Sequence, residues 1–292
     1  MIDVKDTHDN IKSNSPEVTT YISDRPTAAN PVEDELRRAM SERVLLLDGA
    51  MGTMIQRCGL TEDDFRSASV KPTVDKAQRG CNDVLCLTRP DVITGIHTEY
   101  IAAGADIIET NTFNANRFSL ADYGLAHEVG RICREGARLA RAAADAAGRR
   151  VWVAGSVGPS GKSLTMTRQL DGADAVSWDE MEDAFTEQIQ ALVEGGADII
   201  LLETIFDTLN AKAAIRAADR AFEAAGKRLP LMLSVTLTES GRTLSGQTPD
   251  AFVASIAHAN PLTVGFNCGF GPDRMGHLSL IHISEPTRLA LI

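Results

Sequence analysis

Glu194-Gly195-Gly196-Ala197-Asp198-Ile199-Ile200-Leu201-Leu202-Glu203-Thr204 reads as a helix end, a glycine turn and an unbroken apolar strand that stops on a carboxylate. A strand needs apolar residues at every position when helices cover both faces of its sheet, as happens in parallel α/β folds. A near copy, Ala103-Gly104-Ala105-Asp106-Ile107-Ile108-Glu109-Thr110, stands about ninety residues earlier, a trace of repeated strand–helix units.

Outward from this pair the chain alternates throughout. From Val32 the pattern is helical in period and runs into Val44-Leu45-Leu46-Leu47-Asp48, read as a buried strand and followed by Gly49. PDVITGIHTEYIAAG, from Pro90, leads into ADIIETNTF; an Ala-rich helical stretch from about Ala126 to Ala147 leads into VWVAGSVGP; SWDEMEDAFTEQIQALVEGG leads into ADIILLET. DTLNAKAAIRAADRAFEAAG then precedes LPLMLSVTLTESG, and TPDAFVASIAHAN precedes PLTVGFNCGFG. No strand is followed by a GxGxxG or GxxxxGK[ST] loop, which argues against a doubly wound nucleotide-binding sheet. The expectation is an α/β chain, a (β/α)8 TIM-type barrel truncated after about six βα units, its strand tips converging on one face where such barrels place their chemistry.

Those tips are Asp48, Glu109-Thr110-Asn111, Gly155-Ser156, Glu203-Thr204, Thr236 and Asn267-Cys268. Asp48-Gly49 serves either as turn chemistry or in binding. A carboxylate such as Glu203, closing so apolar a strand, calls for a partner, and a cationic ligand group would serve. Asn111 and Asn114 either cap the following helix or bind, and Asn82-Asp83 are read as caps. The polar excursion Gly241–Gln247 is expected to touch something. His97, His127 and His258 fall within helical patterns without ligand spacing and are expected to be packing or surface residues. Cys268, a thiol at the tip of a buried strand just before a glycine-rich break, is poised for chemistry if it has company.

Composition limits what that company can be. A net charge of -11 without a basic cluster argues against nucleic acid and membrane lipid as partners. The apolar runs fall far short of the roughly 20 residues of a membrane span, and the polar N-terminus has no signal-peptide core. Five cysteines (Cys58, Cys81, Cys86, Cys133, Cys268) without metal-finger spacing suit free thiols in a reducing compartment, so a cytoplasmic location is expected. Residues 1–31 are too poor in apolar side chains to offset the cost of ordering and are read as a flexible leader, with the barrel over 32–277.

Taken in order, LLLDGAMGTMIQ (Leu45 to Gln56), ADIIETNTFNAN (Ala105 to Asn116), EGGADIILLETIFDTLNAKAA (Glu194 to Ala214), SGRTLSGQTPDAF (Ser240 to Phe252) and VGFNCGFGPD (Val264 to Asp273) resemble the homocysteine S-methyltransferases, and within them the homocysteine-binding module of cobalamin-dependent methionine synthases. The resemblance implies zinc-dependent methyl transfer to homocysteine, giving methionine, on a (β/α)8 barrel. A thiol with a reference pKa of about 8.5 is mostly protonated at neutral pH, and a metal that holds it as thiolate makes it nucleophilic. Cys268 matches the first of the family's three zinc-ligating cysteines; Glu203 matches the acid that meets the ammonium of homocysteine. Asp48-Gly49 matches the segment lining the same pocket, Asn111 stands among the candidate binding residues, and Asn267 is expected to orient Cys268 from behind. The implied donor is methylcobalamin, carried with methyltetrahydrofolate on cobalamin- and folate-binding modules of a parent enzyme; the alternatives are a betaine- or S-methylmethionine-dependent enzyme and an inactive truncated fragment.

One part of the pattern is missing. The family's other two ligands form an adjacent Cys-Cys pair, and the sequence has none. Leu278 to Arg288, LSLIHISEPTR, is similar instead to the translation of a transposase adaptor used in DNA library preparation, so 278–292 is read as a non-native tail.

Overall fold

The computed structural model describes residues 30–167 and 175–269; nearly all of the expected leader, and the expected tail 278–292, lie outside them. Helix α1 (Pro31–Glu42) starts one residue before the expected barrel boundary. Its N-cap is Asn30, whose Oδ1 accepts the N–H groups of Val32 and Glu33, and Pro31 supplies a backbone angle already suited to a first helical turn.

Five strands follow: β1 (Ile107–Glu109), β2 (Trp152–Val157), β3 (Ile199–Ile205), β4 (Leu231–Val235) and β5 (Thr263–Phe266). They are all parallel and lie side by side in chain order, β1-β2-β3-β4-β5. A doubly wound sheet would reverse direction at a switch point, and this order has no reversal, which is the winding of a βα barrel. The segment around Leu47 takes the position before β1, through one parallel bridge between Leu47 and Ile107 and the hydrogen bond from Asp48 N–H to the Ile107 carbonyl (2.9 Å). The sequence reading of Val44–Asp48 as a fully buried strand is corrected here. Val44 is 82% and Leu46 55% exposed, because among the described residues no helix covers the outer face of this edge.

Helices return the chain between strands: α2 (Met51–Arg57), α3 (Pro90–Ala102), α4 (Val129–Asp145), α5 (Trp178–Gly195), α6 (Thr208–Ala225) and α7 (Pro249–Ile256), with shorter turns between them. Local chemistry fixes their ends. Ser177 and Glu180 form a capping box on α5, which stops at Gly196 in the left-handed region. Asp207 and Thr248 cap α6 and α7.

Strand residues alternate between two apolar layers. Ile200, Leu202 and Leu233 join the core shared with the outer helices. Ile107, Trp152, Ala154, Ile199, Leu201 and Met232 face the lumen, where Leu36 of α1 packs beneath them. A bidentate contact from Arg43 to Asp106 (2.6 and 2.8 Å) pins the end of α1 to the start of β1, and Asp106 also accepts the Leu46 N–H at 3.0 Å. The lumen is therefore closed at the N-terminal end of the strands.

Candidate functional site

Two residues further along each strand, the lumen-facing series turns polar. Ile107 gives way to Glu109, Ala154 to Ser156, Leu201 to Glu203 and Met232 to Ser234, and Asn267 follows β5 within hydrogen-bond reach of Ser234. Ser156 Oγ donates to Glu203 Oε1 at 2.5 Å, and Ser234 Oγ donates to Asn267 Oδ1 at 2.7 Å. Behind this ring Thr110 Oγ1 accepts the Ser156 N–H (3.0 Å), and Thr112 Oγ1 donates to the Ser156 carbonyl (2.8 Å), locking the tips of β1 and β2 together.

Three half-buried carboxylates share this mouth: Asp48, Glu109 and Glu203. Burial drives Asp48 up to about 8 against the hydrogen bond it accepts from the Glu109 N–H, with the negative charge of Glu203 adding to the rise. Burial, then the charges of Glu203 and Asp48, hold Glu109 well above the usual carboxylate range. Burial raises Glu203 too, opposed by the Ser156 hydroxyl. Among the described residues no cationic side chain stands against any of the three. A cluster of this kind is short of one positive charge, and a ligand ammonium supplies it.

The structure thus brings together Asp48 and Glu203, and adds Glu109, which sequence reasoning passed over as a binding residue. Gly49 lies beside Tyr100, whose hydroxyl would be 3.6 Å from a Cβ at that position. Asn111 is buried and turned to other work: its Nδ2 donates to the Asn82 carbonyl at 2.7 Å and approaches the Cys86 thiol at 3.6 Å. Asp83 caps from the same region, accepting the Asn114 N–H at 2.8 Å. The excursion Gly241–Gln247 reaches the start of α6, where Gln247 pairs with Thr208 and the Ser245 N–H meets the Phe206 carbonyl at 3.4 Å. His97 is fully buried and His127 exposed, as their helical positions suggested.

Cys268 is exposed at the end of β5, with Asn267 Nδ2 donating to its Sγ at 3.4 Å. The backbone turns through two successive left-handed residues, Cys268 (φ 58) and Gly269 (φ 82). Only glycine fits the second, since a Cβ there would lie 2.4 Å from the Leu237 carbonyl oxygen. The other thiols are occupied elsewhere. Cys81, Cys86 and Cys133 are buried, and desolvation keeps them protonated, Cys81 up to about 12; Cys58 is exposed on α2's end and donates to the Met54 carbonyl. Among the described residues no group of three or more histidine, cysteine or acidic side chains is arranged to hold a metal ion. A catalytic zinc needs three protein ligands, and Cys268 could supply only one, so the described residues do not by themselves fit that metal.

No helix among the described residues is long and apolar enough to cross a membrane. In overall structure the chain is similar to the homocysteine methyltransferase MmuM from Escherichia coli. Against its oxidized form the TM-score is 0.60 at 25% identity, over 80% of this chain and 76% of that one. Against its metallated form the TM-score is again 0.60, at 24% identity, over 80% and 77% of the two chains. The homocysteine S-methyltransferase family model matches residues 45–289, and with that match over most of its length the chain belongs to the homocysteine S-methyltransferase family.

Proposed function

We propose that this chain binds homocysteine as the methyl acceptor of a methionine synthase, with methylcobalamin as donor. The observation that carries the reading is the mouth itself: Asp48, Glu109 and Glu203 form an uncompensated acidic cluster, and Asn267 links the Glu203 side of that mouth to the Cys268 thiol. An amino acid with a short thiol side chain has its ammonium and its sulfur at opposite ends. Glu203, steadied by Ser156, takes the ammonium, and Asp48 and Glu109 deepen the negative field around it. The thiol end is then directed along the mouth toward the rim that carries Cys268. The resemblance of the segments DGAMGTMIQ and GRTLSGQTPDAF to the modular methionine synthases is what favours cobalamin as donor.

The test is a calorimetric titration with homocysteine of the chain and of its Glu203→Gln variant. Losing a charge-assisted contact costs on the order of 1.5–3 kcal/mol, so the variant should bind about 10- to 150-fold more weakly. Equal affinities would remove Glu203 from the site. A second reading, a betaine or S-methylmethionine donor, leaves the acceptor unchanged, and the acceptor is what the likeness to the homocysteine methyltransferase MmuM over 80% of the chain supports. Such an enzyme holds donor and acceptor together, so heat from either donor added on top of saturating homocysteine would favour that reading over the cobalamin one.

A further inference from the structure

We propose that Thr204 and Asn267 form a strut that aims Glu203 into the lumen, which makes Asn267 a positioning residue for the amino-acid end of homocysteine; the inference rests on the homocysteine reading above. Thr204 is a β-branched residue at φ 55, a region that L-residues with branched Cβ atoms avoid and keep only when their surroundings impose it. It sits where the pairing of β3 with β4 slips, between Leu202 and Ile205. A bulge of this kind leaves a backbone group without its ladder partner and re-aims the neighbouring side chain.

What imposes the conformation is one amide. Asn267 Oδ1 accepts the Thr204 N–H at 3.2 Å, and Asn267 Nδ2 donates to Thr204 Oγ1 at 2.7 Å. A backbone N–H can only donate, so the amide orientation is fixed by this pair. Ser234 Oγ, on the strand between, donates to the same Oδ1 at 2.7 Å and anchors the amide on β4. The strut therefore runs from the end of β5 across β4 to β3, and it ends one residue after the carboxylate that Ser156 receives. Without it, Thr204 would relax to an extended conformation and β3 would regain its register, turning the peptide that follows Glu203.

The strut predicts a specific rescue. Glycine adopts a positive φ without support, so at position 204 it makes Asn267 less necessary. Homocysteine binding is measured by calorimetry for the full chain, Asn267→Ala, Thr204→Gly and the double variant. Because a small misplacement of a binding group is costly, Asn267→Ala should weaken binding by about tenfold or more, Thr204→Gly should change it by only about two- to threefold, and the double variant should regain most of the affinity lost. An Asn267 that serves only Cys268 or only general packing would not be rescued from position 204. Unchanged binding in Asn267→Ala, or a double variant no better than the single, overturns the proposal. Urea unfolding of the same four proteins is the second measurement: the strut requires non-additive stabilities, and additive ones overturn it even where Asn267→Ala folds poorly. If the unsubstituted chain takes up no homocysteine, the functional reading fails, and the unfolding cycle alone decides the strut.

Discussion

Asp48 Oδ1 accepts the backbone N–H of Glu109 at 3.0 Å, which ties the first acid of the mouth to the main chain of the strand carrying the second. Glu203 accepts from the Ser156 hydroxyl instead, and neither hydrogen bond neutralises the acid that accepts it. Burial raises the pKa values of all three, the charge of Glu203 adds to the rise at Asp48 and at Glu109, and Asp48, at about 8, carries a proton at neutral pH.

An ammonium that enters this cluster displaces that proton. Homocysteine binding should release protons at pH 7, and its affinity should rise with pH through the titration of Asp48, near pH 8. Calorimetry in two buffers of different ionisation enthalpy reads the release directly. Zero net release at pH 7 would show that the acids are already charged or do not meet the ligand.

His97 lies on α3, fully buried, with neither ring nitrogen hydrogen-bonded. Desolvation holds it down at about 4, whereas an unfolded histidine titrates near 6.5. Below pH 6.5 the unfolded chain therefore binds the proton more readily. The stability due to a neutral His97 is complete above pH 6.5 and is lost as pH falls from there to about 4. At about 1.4 kcal/mol per pKa unit the loss amounts to about 3 kcal/mol. Urea unfolding at pH 7 and pH 4.5 should show His97→Leu losing less stability on acidification than the parent; equal losses would place the acid sensitivity elsewhere.

Gly195 ends α5 where that helix presses on α4. A Cβ at this position would lie 2.5 Å from the Arg134 carbonyl oxygen and 2.6 Å from the Ala137 Cβ. Gly195→Ala should destabilise the fold by about 1–3 kcal/mol through overpacking. Gly130, in the first turn of α4, has nothing within 4 Å of its would-be Cβ, so Gly130→Ala should instead stabilise by about 0.5–1 kcal/mol. Thermal or urea unfolding of the two variants gives opposite signs if the helix contact is as tight as described.

Cys268 stands alone among the described thiols in being both exposed and at the mouth. Tight zinc needs several ligands held at once, so the 292-residue chain should retain no stoichiometric zinc after gel filtration, and Cys268→Ser should leave its metal content unchanged. One zinc per chain, lost on that substitution, would reveal a ligand set that the described residues do not contain.

The alternation of helix and strand was legible because apolar runs and glycine stops punctuate it, and the tips at Asp48, Glu203 and Cys268 followed from where those runs end. Which way a tip points was not legible. A strand such as Ile107–Glu109, apolar at every position before its acid, carries no two-residue period, so only its pairing with Trp152 and Ala154 assigns Glu109 to the lumen. Asn111, two residues on, was expected near the ligand, yet the turn through Thr110 and Thr112 sends its amide to Asn82. The left-handed backbone of Thr204 has no sequence signal at all, since nothing about threonine favours it. The same holds for Val44 and Leu46, apolar by composition but exposed, because burial depends on what lies opposite and not on the strand alone.

The fully buried Leu36 stops the lumen from below. Beneath the acids of the mouth lies an apolar floor of Leu36, Ile107, Leu201 and Met232, so a charged ligand held by Asp48, Glu109 and Glu203 finds nothing polar to move toward below them. Depth in this site is therefore set by solvation: the ammonium stops at the level where the strands change from apolar to polar, and the strand tips above it are where the rest of a ligand is met.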